Sequence, residues 1–316
     1  YALIVSSAAF HAKKELAFGL KKSGLRQLFT IAIPLFVYQL FFMFHFSIDR
    51  LMIIKFLGQE SMGLYSFAFQ MASITLLITS GVKIVYRPQI MRLYHSQGEE
   101  KKHLASEIVK LNEAIIYGIP IFAIVCFTCL ILMVHTFFQA YRSSIFALGF
   151  LLLSGYFLSN SSMAGYCLVA GKKYGKLIGI SVYTLLVSIA ANAVALYTKT
   201  GIEGIAVAAA LTSLMYSHLV IKHGYALLGI NTRNIFKSIV INAATSISVF
   251  LLIMYIVFHP QHRLLPGMTS LWSIIIAVCI ILALNLAGIR YILTSGVLKQ
   301  IRRAFSQKKV TLEQIG

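Results

Sequence analysis

The chain has 316 residues, 59% of them hydrophobic and 12% charged, with a formal net charge of +19. It is far too apolar for a soluble globular domain of this length, and long stretches with few charges recur that can each cross a hydrocarbon core about 30 Å thick as a helix. The basic residues fall between the apolar runs with no aromatic platform for bases beside them, which argues against nucleic acid and for an all-α, polytopic transmembrane bundle with anionic phospholipid at its basic loops.

In chain order, "YALIVSSAAF" is too short to span and is followed by basic "HAKKELAFGLKK"; residues 1–27 read as the end of a truncated helix and a cytoplasmic linker. Eight spans are expected after it, at about 28–55, 62–86, 112–135, 143–170, 175–198, 202–222, 234–258 and 269–292. The polar segment from Arg87 to Glu113 reads as an interfacial amphipathic helix interrupted at Gly98. Lys and Arg alternate in density between successive connections, roughly 22 on one side to 5 on the other. Such a bias predicts an even number of spans with both ends in the cytoplasm.

Catalysis finds little support. The nine acidic residues form no cluster, and most sit in exposed cytoplasmic segments among lysines. Cys126 and Cys129 spell C-x-x-C, but "IVCFTCLIL" carries no βαβ pattern and no His at metal-ligand spacing. These two, with Cys167 and Cys279, read as small hydrophobic residues in apolar segments, so neither a metal nor a cofactor is expected, and the protein is expected not to be an enzyme.

The main polar feature of the first full span is "FHFSIDRLMIIKFLG", where Asp49, the only aspartate, is followed by Arg50. A charge deep in a bilayer costs roughly 2.5–3.5 kcal/mol even on the lenient insertion scale, so such residues face a wet cavity or a partner. His45, four residues earlier, shares the face of Asp49, whereas Arg50 shares one with Phe46 and Ile54. Asp49 is therefore expected to seek His45 or a cation on another helix, and Arg50 either to line a cavity or to snorkel to the interface. Lys83 carries the same two alternatives. In "SGYFLSNSSMAGYCL", Asn160 and its serine neighbours predict helix packing through small and hydroxylated residues, or else a broken helix lining a cavity. Gly201, Gly204 and Ala208 read as a close-packing face.

The run "LFTIAIPLFVYQLFFMFHFSIDRLMIIKFLGQESMGLYSFAFQMASI", then "RPQIMRLYHSQGEEKKH" and "GIEGIAVAAALTS", resembles the C-terminal lobe of Wzx-type polysaccharide (O-antigen repeat-unit) flippases. These belong to the multidrug/oligosaccharidyl-lipid/polysaccharide exporter superfamily. The resemblance rests on Pro34 opening a long span, Asp49-Arg50 near its outer end, Gly58, Gly63 and Tyr65 across the turn, Pro88 ending the next span, and Gly201-x-x-Gly204. It implies a MATE-like two-lobe transporter, of which residues 28–222 resemble one six-helix lobe and residues 223–316 two additional helices with a basic cytoplasmic tail. It further implies a lipid-linked oligosaccharide substrate on a polyprenyl-diphosphate carrier, the bacterial inner membrane, and a possible link to the polysaccharide polymerase machinery. Substrate-binding positions would then be Asp49, Arg50, Lys55, Lys83 and Asn160, the cations meeting the diphosphate. A lipid II flippase and a drug or cation antiporter share the fold; a membrane-embedded polymerase or ligase belongs to another class.

Overall fold

The structure, a computed structural model, describes residues 22–94 and 99–258. Eight α-helices occupy these residues: α1 (Lys22–Phe56), α2 (Gly58–Ala72), α3 (Ile74–Leu93), α4 (Glu99–Thr136), α5 (Ile145–Ala170), α6 (Tyr174–Tyr197), α7 (Gly201–Ala226) and α8 (Thr232–Phe258), with a 3₁₀ turn at Gln139–Ser144 leading into α5. In hydrocarbon every backbone N–H and C=O needs an internal partner, and a helix supplies one within its own segment. Seven segments among the described residues are long and apolar enough to cross a membrane, α2 and α3 supplying one of them jointly. The chain is a multi-pass membrane protein. The expected span at 269–292 lies outside the described residues, as do residues 1–21 of the linker and Cys279.

Helix α5 is the axis of the bundle and contacts α2, α3, α4, α6, α7 and α8. Nearly all its positions are buried, which is why its hydrophobicity is spread all round rather than striped. Its closest companion is α7, which runs parallel to it: Ser154 Oγ and Ser213 Oγ lie 2.7 Å apart, and Gly224 sits against the backbone of Ala164. Helix α3 is also parallel to α5, with Thr79 Oγ1 donating to Ser159 Oγ at 2.7 Å. On the flank, α1 packs on α6 and α2 and turns Phe29, Phe36, Met43 and Phe56 outward.

The buried apolar residues form two blocks. One holds Ile108, Ile116, Tyr156, Leu168, Val220 and Tyr225; the other holds Ile53, Tyr65, Phe127, Leu148, Ile205 and Phe250. Every helix that contributes to both passes from one to the other along its length, so the blocks are stacked along the membrane normal. Buried hydroxyls lie near the junction, among them Thr75, Ser154, Thr212 and Ser213.

The second span is broken at Ser73, between α2 and α3. Ser73 Oγ donates to Gln70 O at 2.6 Å and Thr75 Oγ1 to Ala72 O at 2.9 Å, so side-chain hydroxyls satisfy carbonyls at the break. Thr75 also packs over Gly155 of α5: a Cβ added there would collide with Thr75 Oγ1 while standing 3.4 Å from Thr75 Cβ. Gly155→Ala is therefore expected to lower thermal stability by about 1–3 kcal/mol. Adding Thr75→Ala, which removes the offending oxygen, should recover part of that loss. Equal melting of the single and double variants in detergent would place the conflict elsewhere.

Several expectations are corrected. Pro88 does not end its helix; α3 continues to Leu93, since a proline removes one backbone donor but not those that follow. The polar segment from Arg87 forms no separate interfacial helix among the described residues: its ends are the last turns of α3 and the first turns of α4. A broken helix exists, but at Ser73 rather than near Asn160, where α5 is continuous. Gly201 opens α7 through its backbone, with φ of +64° and nothing within 4 Å of where a Cβ would stand, so it packs against no neighbour. Gly204 does lie against a neighbour, a Cβ there standing 3.2 Å from Ala195 Cβ of α6, and Ala208 is buried; a further close approach on α7 falls at Gly224.

Candidate functional site

Tyr38, Phe42, His45 and Asp49 recur at helical spacing along one face of α1. Helix α6 answers with Ser181, Thr184, Ser188 and Asn192, all buried and on one face. Because the two helices run parallel, the polar positions follow one another in step up the interface. The interface ends, toward the C-terminus of α1, at Asp49, only 5% exposed. Asn192 Nδ2 donates to Asp49 Oδ1 at 2.6 Å, and Tyr65 Oη, from α2, donates to Oδ2 at 3.0 Å. One carboxylate thus ties three helices.

His45 is not the partner of Asp49. Its ring turns toward α7 and stacks on Tyr216, with centroids 6.3 Å apart and planes at 23°, and Tyr216 Oη lies 3.0 Å from Tyr38 Oη. The shared face did not bring the two groups together, because the imidazole gains more by stacking than by reaching along its own helix. Among the described residues, His45 Nδ1 and Asn192 Oδ1 are buried along the α1–α6–α7 interface without a hydrogen-bond partner, while Ser181 faces Tyr216 and Ser188 faces Asp49. Groups of this kind each cost about 1–3 kcal/mol relative to a satisfied state.

Arg50 points away from this seam. Its Nη2 donates to Phe46 O at 3.4 Å and its Cζ stands 4.6 Å over the Phe69 ring, where cation–π attraction holds a guanidinium. Among the described residues no carboxylate lies within ion-pair reach of its guanidinium, and the residue is only half-buried. Phe46 and Phe69 also wall a small cavity beside the Ser73 break, together with Ala72, Leu76 and Leu158.

The remaining candidates are dispersed. Lys55 is exposed at the end of α1, its Nζ 5.5 Å from the Phe56 ring. Lys83 is half-buried on α3, two residues past the end of the apolar span Gly58–Gly81. Asn160 is fully buried on α5, donating to Tyr156 O of its own helix at 2.8 Å, and its Oδ1 has no partner among the described residues. No hydrogen bond among the described residues joins Lys55, Lys83 or Asn160 to Asp49 or Arg50. Asn192 and Ser188 escaped the sequence reading, although the spacing of Ser181, Thr184, Ser188 and Asn192 in an otherwise apolar helix was the signal for them. Asn112, whose whole amide is buried on α4 without a hydrogen-bond partner among the described residues, carried no such pattern.

No curated protein and no solved structure matches the chain. Residues 1–145 match the family model described as polysaccharide biosynthesis protein, a stretch that contains Asp49, Arg50, Lys55, Tyr65 and Lys83 but neither Asn160 nor Asn192. Over that stretch, a little under half of the chain, this multi-pass membrane protein is similar to polysaccharide biosynthesis proteins.

Proposed function

We propose that the chain forms one lobe of a MATE-like, Wzx-type flippase that moves a polyprenyl-diphosphate-linked oligosaccharide repeat unit across the bacterial inner membrane by alternating access, with both ends of the chain in the cytoplasm. It performs no covalent chemistry in this reading. The observation that carries it is Arg50: a guanidinium in a transmembrane helix, held over an aromatic ring, with no carboxylate within ion-pair distance among the described residues. Placed so, it keeps its planar fork for a pair of phosphate oxygens. Lys55 and Lys83, nearer opposite ends of their spans, are the further cations that a diphosphate would meet on its way. Asp49 serves differently. Its two hydrogen bonds close the α1–α2–α6 seam, and its role is to set the position of α1, and so of Arg50, rather than to touch sugar. The unpartnered polar atoms beside it favour a seam that opens toward water in another state of the cycle.

In the full-length protein, Arg50→Lys keeps the charge and loses the fork, whereas Arg50→Gln loses both. Surface polysaccharide is expected to fall in both variants, further in Gln, with the amount of protein in the membrane unchanged. Normal export by Arg50→Gln at native expression would return this residue to an interfacial anchor.

A further inference from the structure

Helices α6 and α7 leave between them an open groove of about 330 Å³, lined by Lys176, Gly179, Ile180 and Tyr183 on α6 and by Leu219 and His223 on α7. It has two ends of different chemistry. Lys176 and His223 stand together at one end, and Lys172 and Lys173 lie in the adjoining turn. None of the lining residues is acidic. From there the groove runs between Gly179, Ile180 and Leu219 to Tyr183, which is 54% exposed, and the outward face of α6 continues apolar through Leu186 and Val194.

The basic end belongs to the connection between the fourth and fifth spans counted in the sequence, which the charge bias assigns to the cytoplasm. A cationic rim at the headgroup level above an apolar trough at acyl depth is complementary to one molecule type: an anionic phospholipid of the cytoplasmic leaflet. We propose that this groove is a specific site for such a lipid, its phosphate held by Lys176 and His223 and one acyl chain lying along Gly179 and Tyr183. Gly179 makes the trough. Nothing lies within 4 Å of where its Cβ would be, so the missing side chain is open space on the outer surface and not a helix contact. A free phosphate would use the rim but leave the apolar floor without purpose. The site is separate from Arg50 and stands or falls independently of the transport reading.

The test is binding of dioleoylphosphatidylglycerol or dioleoylphosphatidylcholine to the delipidated full-length protein in mild detergent, read by native mass spectrometry. Phosphatidylglycerol is expected to bind several-fold more tightly than phosphatidylcholine, and Lys176→Gln to weaken it about fivefold, the worth of one lysine near a headgroup. Gly179→Leu fills the trough and raises helix propensity, so it should remove the bound lipid with an unchanged elution profile. Inorganic phosphate at millimolar concentration should not displace the lipid. Equal binding of the two lipids, full phosphatidylglycerol binding by Gly179→Leu, or displacement by inorganic phosphate would each overturn the proposal. Lys176 is exposed and its substitution leaves the fold intact, so the charge arm decides even if Gly179→Leu fails to fold.

Discussion

Gly224→Ala is expected to abolish the monodisperse peak of the protein in detergent. A Cβ at this position would overlap the carbonyl oxygen of Ala164 and stand 2.7 Å from its carbonyl carbon and 2.9 Å from its Cα. All three are backbone atoms of α5, so no rotamer change relieves the contact. The helices themselves must part, and α5 with α7 is the most extensive pairing in the bundle. Overpacking usually costs about 1–3 kcal/mol where side chains can adjust, and the cost here should exceed that range. Two controls make the test specific. Gly63→Ala, where nothing lies within 4 Å, should leave the elution profile unchanged. Adding Ala164→Gly should not rescue Gly224→Ala, because the three closest contacts are backbone atoms that a glycine keeps. A normal peak from Gly224→Ala would show that α5 and α7 are not this close.

Asp49 is the second position at which a single change should have a large effect, and two substitutions separate what it does. Asp49→Ala strips the acceptors from Asn192 Nδ2 and Tyr65 Oη, both buried, at about 1–3 kcal/mol for each donor left unmade, and leaves a small void as well. Folded protein in the membrane should fall several-fold. Asp49→Asn keeps the shape. Its carbonyl can accept from Asn192 while its amide donates to the Tyr65 hydroxyl, which accepts as readily as it donates. This variant should reach the membrane in near-normal amount and keep the placement of α1, so under the proposed transport reading surface polysaccharide should stay near normal. Folded protein at the normal level in Asp49→Ala would mean that the three-helix tie is dispensable.

Helix class and most span positions were legible in the sequence because the bilayer imposes them: length and apolarity suffice, and the bounds of α6 and α7 fall close to the expected ones. What was not legible depended on who faces whom. Asp49 drew attention by its cost, yet its partner Asn192 lies 143 residues away on a helix whose register with α1 no local pattern states. The direction of Arg50 was readable from helical periodicity, and it does reach back to Phe46. The break at Ser73 carries no proline and no glycine, only a serine whose hydroxyl satisfies a carbonyl three residues back, so the usual punctuation missed it. Pro88 and Pro120, which do carry punctuation, lie inside continuous helices.

The division of the interior into two apolar blocks has a mechanical consequence. Atoms within a block interlock and resist sliding, whereas the junction is spanned by short hydroxyl groups whose hydrogen bonds are individually weak in a bilayer protein, on the order of 0.6 kcal/mol each. Helix α5 threads both blocks unbroken, while the second span is severed near their boundary, its Tyr65 rooted in one block and its Ile90 in the other. Strain applied at either membrane face would therefore concentrate at that junction, and the least costly departures from the native arrangement are those in which one storey of the bundle loosens or tilts while the other keeps its packing.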